Sequence, residues 1–204
     1  MGRNNSYFLK SLFNSAFDKV DPSKNIWLSV DMLNIFSVLA IRKRNDIEAI
    51  LDDVFNLIKL ISEKFELIII PSFFFSFPKE GIFNTANSKP ELGSIPNYLF
   101  NKKYKYRTIH PLYSFYVFGK NKKRFLEETK FLNDSVGDKS IFNYLNENKF
   151  KSLSIGHHYV ASIPQIHNCE YLLKADFRYL ISFNGQLIDK YRDLVINGKF
   201  NFYG

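Results

Sequence analysis

An α/β fold, a sheet covered by helices, is the class this sequence predicts. Three observations carry it. Ile26 to Val30 and Leu67 to Ile70 are short apolar runs with the length of buried strands. Between them lies an apolar stripe at helical spacing, and strand, helix, strand in that order is the unit of a sheet with helices on its faces. The chain has 204 residues, which favours one domain, 1–204, able to bury a substantial core without staples.

Taken in order, Tyr7 to Phe17 has apolar residues at helical period and forms an N-terminal helix within residues 1–24. Asp21-Pro22-Ser23 breaks it. The first strand, Ile26 to Val30, leads into a loop or short helix through Ala40. Asp46 is placed to cap a helix running to about Phe65, with apolar positions 47, 50, 51, 54, 58 and 61 on one stripe. Leu67 to Ile70 is the second strand. From Pro71 to about Arg107, Pro, Gly, Ser and Asn recur, and a loop region this long inside a compact domain is usually functional. A short helix is expected at Asn97 to Phe100, a strand at Tyr113 to Phe118, a helix from Ser140 to Asn146 and a strand at Ser152 to Ile155. His167 to Leu173 reads as the start of a helix. Tyr179 to Phe183 and Lys199 to Tyr203 read as strands, with Asn184-Gly185 and Asn197-Gly198 as turns.

Composition narrows the function classes. Hydrophobic residues make up 46% and charged residues 24%, as in ordinary globular chains. One cysteine, Cys169, excludes an internal disulfide and a cysteine-rich zinc site. No apolar run reaches the length of a membrane span and no secretory signal is recognised, so a cytoplasmic location is expected. The net charge is +8, carried largely by Arg42-Lys43-Arg44, by Lys102 to Arg107 and by Lys120 to Arg124. A basic surface attracts phosphates and argues against a deep site for polycations.

Four histidines are candidates for chemistry: His110, His157, His158 and His167. His167 and Glu170 stand at i and i+3, which on a helix puts them on one face. A carboxylate beside an imidazole fixes its tautomer and raises its basicity, as a general base requires. Most such pairs are plain surface ion pairs, so the spacing alone decides nothing. His110 precedes Pro111, and the bland reading is a ring that bonds neighbouring backbone. His157-His158 has no third ligand at useful spacing, and no metal is expected. Cys169 is read as a partly buried bystander. Gly-rich phosphate loops are absent from the sequence.

Together these segments resemble the aminoglycoside 3-N-acetyltransferase family, whose fold differs from that of the GNAT acetyltransferases. The family's Pro-Thr/Ser-Phe-Ser-Phe segment is matched by Pro71 to Phe77, and its Gly-x-Phe by Gly81-Ile82-Phe83. Its Arg-Ser-x-His-Pro-x-x-Ser-Phe motif is similar to Arg107 through Phe115, and its Gly-x-x-Ser-Pro-Phe element to Gly137 through Phe142. Its catalytic His-x-x-Glu resembles His167-Asn168-Cys169-Glu170. The likeness spans a core of residues 25–183 and is clearest from 68 to 170. Two elements depart from the pattern: His-Ser-Ser is replaced by Ser29-Val30-Asp31, and Gly-Gly by Arg42-Lys43-Arg44-Asn45.

The resemblance implies a three-layer α/β/α fold with a central mixed sheet, and direct acetyl transfer from acetyl-CoA to an amine. His167 would take the proton and Glu170 would orient the ring. Ser29, Ser72, His110, Ser114 and Phe115 would hold the cofactor. Phe75, Phe77 and Asp138 would meet the acceptor. No metal is implied. Because the chain is basic, the preferred acceptor is an amino sugar carried on a nucleotide, in surface-polysaccharide biosynthesis. Aminoglycoside 3-N-acetylation, hence antibiotic resistance, is the alternative, and a non-catalytic CoA- or nucleic-acid-binding protein is a second. The expected partners are the amino sugar and acetyl-CoA; nucleic acid is disfavoured and a homodimer is left open.

Overall fold

The structure is a computed structural model that describes residues 3–41, 43–156 and 165–203. Its central sheet has the order β4-β2-β1-β5, built from β1 (Asn25–Val30), β2 (Leu67–Pro71), β4 (Phe115–Phe118) and β5 (Lys151–Ile155). β1 runs parallel to β2 and β5, while β4 runs antiparallel to β2, so the sheet is mixed as expected. The strands are short apolar runs because both faces are covered. Ile26, Leu28, Ile68, Ile70, Tyr116 and Phe118 point to one core, and Trp27, Leu67, Ile69, Phe115 and Val117 to the other. The alternation is the two-residue period of a strand.

The first core is closed by α1 (Arg3–Phe17), α2 (Met32–Val38), α3 (Arg44–Ser62) and α5 (Ser94–Asn101). The second is closed by α4 (Phe77–Glu80), α6 (Lys122–Glu128), α7 (Ile141–Glu147) and a second sheet of order β3-β6-β7. That sheet comprises β3 (Ile82–Asn84), β6 (Leu180–Asp189) and β7 (Leu194–Tyr203), with β3 parallel to β6 and β6 antiparallel to β7. Helices on one face, and helices with a small sheet on the other, make the three layers.

Several sequence expectations change. Asn184-Gly185 and Asn197-Gly198 are not turns: they lie inside β6 and β7 and pair with Lys199, Gly198 and Gln186 across the ladder. The glycine at 185 serves space, since a Cβ there would stand 2.4 Å from Phe77 Cζ and 2.5 Å from the Gly81 carbonyl oxygen. α3 begins two residues before Asp46, which sits in its first turn; Lys43 occupies the cap position without a side-chain hydrogen bond. The 71–107 segment contains α4 and β3, and α6 was not foreseen. Arg107, read as part of a basic surface, is wholly buried.

The topology gathers the candidate residues. The parallel strands β1, β2 and β5 all end at one edge of the sheet, and antiparallel β4 begins there. Segments leaving β1 and β2, and the segment entering β4, therefore meet at that edge, where ligands of open α/β sheets bind.

Candidate active site

α8 (Ile166–Leu172) carries the imidazole and carboxylate on one face. His167 Nδ1 lies 3.0 Å from Glu170 Oε2, and the two side chains are 30% and 20% exposed. Arg178 Nη2 lies 3.1 Å from the same oxygen and 3.2 Å from His167 Nδ1. A guanidinium offers only donors. The arrangement that satisfies all three groups puts the ring proton on Nδ1, with imidazole and guanidinium both donating to the carboxylate. Nε2 is then left with its lone pair. The hydrogen bond from His167, then the Arg178 charge, holds the Glu170 carboxyl below the usual carboxylate range.

The next face of α8 docks the helix. Asn168 is fully buried, and its Oδ1 accepts the Gly137 N–H at 2.8 Å. Tyr171 packs against Gly137, whose φ is +83°, and stands edge-on to Tyr203 at 5.6 Å. A Cβ at position 137 would meet the Tyr171 ring at 3.1 Å. The Gly137 loop then enters α7 through Ser140, which accepts the Asn143 N–H at 3.0 Å. One motif thus seats the helix that carries the other. Asp138 is exposed on this loop, and Cys169 is exposed, not partly buried as expected.

Phe75 is 44% exposed. The Glu91 carboxylate anchors its turn, accepting the Phe75 N–H at 2.6 Å and the Ser76 N–H at 3.2 Å. Phe73 bridges inward from Phe75 to Tyr113, with ring centroids at 6.0 and 5.1 Å. Burial pushes the Tyr113 phenol up, and the Arg178 charge pulls it back. Tyr113 therefore feels the same guanidinium that holds Glu170.

Other expected contacts are interior. His110 is buried: Nδ1 accepts the Leu112 and Tyr113 N–H groups at 3.0 and 2.7 Å, and Nε2 faces the Asp134 carbonyl at 3.2 Å. Burial lowers its pKa to about 4. Ser72 and Ser114 are also buried, their hydroxyls 3.0 Å apart and each 3.2 Å from Arg107 Nε. The Arg107 guanidinium donates to the Ser72 and Ser88 carbonyls and lies between the Phe83 and Tyr116 rings, at 4.9 and 5.5 Å. Desolvation lowers its pKa to about 10, which leaves it charged at neutral pH. Phe115 and Phe77 are core residues, Phe77 standing edge-on to Phe200 and Phe202. None of the five expected contacts among them, His110, Ser72, Ser114, Phe115 and Phe77, presents a free surface to a ligand.

Ser29 differs. It is half-buried, accepts the Trp27 indole N–H at 3.1 Å and lines a cleft of about 270 Å³ with Asp31, Pro71 and Gly93 at the ends of β1 and β2. The Asp31 carboxylate is spent on capping α2. Among the described residues no group of three or more His, Cys, Asp or Glu is placed to hold a metal, and no helix is long and apolar enough to cross a membrane. His157 and His158 lie outside the described residues. Arg178 and Asn168 were missed by sequence reasoning: no spacing rule joins Arg178 to Glu170, and Asn168 stands only as an unassigned position inside the motif.

Comparison with known proteins decides the family. The model described as aminoglycoside 3-N-acetyltransferase matches residues 77–198. The chain belongs to that family. Aminoglycoside 3-N-acetyltransferases are acyltransferases that use acetyl-CoA as co-substrate. Among solved structures it is similar to the YokD protein from Bacillus subtilis, 17% identical, with 98% of this chain and 81% of that one covered at a TM-score of 0.65. It is also similar to AAC-VIa bound to sisomicin, 11% identical, covering 98% and 75% at 0.68. The apoenzyme of AAC(3)-IVa is 12% identical, covering 96% and 69% at 0.60. These likenesses are of fold. No curated protein matches the chain. The family span includes His110, Asp138, His167 and Glu170 and leaves Ser29, Ser72 and Phe75 outside.

Proposed function

We propose that the chain is an acetyl-CoA-dependent N-acetyltransferase whose acceptor is an amine of an aminoglycoside-type amino sugar. The carrying observation is the His167–Glu170 pair at 3.0 Å, with Nε2 unclaimed among the described residues, on a helix docked against the Gly137 loop. His167 Nε2 takes the proton of the attacking amine while Glu170 fixes the Nδ1–H tautomer. The amine nitrogen forms the new bond to the acetyl carbon, the C–S bond breaks and the thiolate leaves. Positioning and base action suffice, with no covalent intermediate on the protein.

The Ser29 cleft suits an uncharged, peptide-like arm, since strand ends and a hydroxyl line it without Lys or Arg. Phosphates find amides instead at the N-terminus of α3, which Lys43 leaves without a side-chain cap and which the β1–α3–β2 path brings to the same edge. Phe75 and Asp138 remain the acceptor contacts, an apolar wall and a carboxylate that attracts ammonium.

The nucleotide-linked acceptor preferred on net charge gives way here. Family membership favours the aminoglycoside reading. Most of the basic clusters also sit away from α8, as described below, so the charge says nothing about the acceptor. The test is release of free thiol from acetyl-CoA with sisomicin, gentamicin and nucleotide-linked amino sugars as acceptors. Turnover of an aminoglycoside is expected. Turnover of nucleotide-linked sugars alone would reverse the choice, and thiol release with no amine tested would remove amine transfer.

A further inference from the structure

Two basic clusters of the sequence play no part in the proposed transfer. With Arg107 internal, Lys102 to Lys105 and Lys120 to Arg124 flank the opposite edge of the sheet, where β2 begins and β4 ends. A cleft of about 540 Å³ opens there between the last turns of α3, the strap after α5 and the turn after β4. That is the size of a small-molecule site. Lys59, Lys120 and Lys122 line it together with Phe55, Tyr104 and Tyr106.

The aromatic wall is fixed. Tyr104 stacks on Phe118 with centroids 4.7 Å apart and 14° between planes, and its hydroxyl donates to the Val117 carbonyl at 3.0 Å. Tyr106 stands edge-on to Tyr104 at 5.6 Å, and the Lys122 and Lys105 ammonium groups lie 5.1 and 5.5 Å from its ring. Lys120 reaches Glu66 at 3.8 Å, outside the lining. Glu63 is the carboxylate among the lining residues, so with Lys120 drawn to Glu66 the Lys59 and Lys122 ammonium groups meet one acid, beside the carbonyl end of α3.

We propose that this cleft is a second ligand site, for a nucleotide. An anion alone needs no aromatic wall, and a neutral ring needs no lysines; a nucleotide uses both. Its base lies on Tyr106, displacing one ammonium, and its phosphates collect the lysine charges that otherwise repel one another. The site stands at the far end of the strands from α8, so both are filled independently.

Calorimetric titration of the full chain with ATP and with inorganic pyrophosphate, in the absence of CoA, tests this. ATP is expected to bind. The double variant Lys59→Ala/Lys122→Ala should weaken both probes by about tenfold or more, a loss of about 1.4 kcal/mol. Tyr106→Leu should weaken ATP by about as much and spare pyrophosphate. Acetyl transfer should be unchanged in the lysine variant. No ATP binding, or affinity indifferent to the lysines, overturns the site. Pyrophosphate binding as tight as ATP, with Tyr106→Leu silent, overturns the nucleotide.

Discussion

Among the described residues His167 Nε2 has no hydrogen-bond partner, and the proposed chemistry rests on it. His167→Ala should lower kcat/KM by about 10²- to 10⁴-fold, the usual worth of a positioned base, with an unchanged circular-dichroism melt. Activity near wild type would remove the imidazole from the reaction. Glu170 is held below its ordinary range by His167, then by Arg178, so it stays ionised through mildly acidic pH and keeps accepting the Nδ1 proton. Glu170→Gln removes that charged acceptor and should lower kcat more than it raises KM; an unchanged kcat would show that the carboxylate does not orient the base.

At the scale of elements, α8 depends on the Gly137 loop. Gly137→Ala places a Cβ 3.1 Å from Tyr171 at a φ of +83°, and should cost about 1–3 kcal/mol in urea denaturation. Asn168→Ala strands the buried Gly137 N–H and should cost about as much. Both should lower kcat, because they tilt the base, and KM for acetyl-CoA should stay unchanged because the Ser29 cleft is not touched. A purely structural role would leave kcat intact in the molecules that remain folded. The link between these two elements was half legible. Each motif shows in the sequence as a short fixed spacing, while the bond joining them spans thirty-one positions and has no local signal. The same limit explains the misread Asn-Gly pairs: their chemistry is that of turns, but Phe77, over a hundred residues away, needs the space at Gly185. α6 was missed because only Phe125 and Leu126 of KKRFLEE are buried, too few to show a helical stripe. β1, β2, α3 and α7 were legible because their apolar periods or caps are local.

Across the whole molecule, polar residues in the 107–114 stretch turn out to hold the fold together at the edge where β2 ends and β4 begins. Arg107 ties Ser72, Ser88 and Ser114 across that edge, and His110 closes its own loop. In sequence both look like surface or site residues, since a buried cation bonded to carbonyls has the same letter as an exposed one. Their burial has a consequence for stability. The His110 Nδ1 lone pair receives two amide protons, which only the neutral ring can accept, and burial lowers its pKa from 6.5 to about 4. In the unfolded chain the ring titrates near its ordinary value, so between those limits the unfolded state binds more protons than the native one. Stability from this group is complete above about pH 6.5 and is lost as pH falls towards 4. The full loss is roughly 3 kcal/mol at 1.36 kcal/mol per pKa unit. Glu170 has the same sign, but its lowered pKa acts at the acid end of that window and below. Urea unfolding at a series of pH values should give a slope between pH 6.5 and 4 that His110→Asn largely removes, at a lower plateau. An identical slope in the two proteins would place the proton uptake elsewhere and require the His110 ring to remain charged inside the fold.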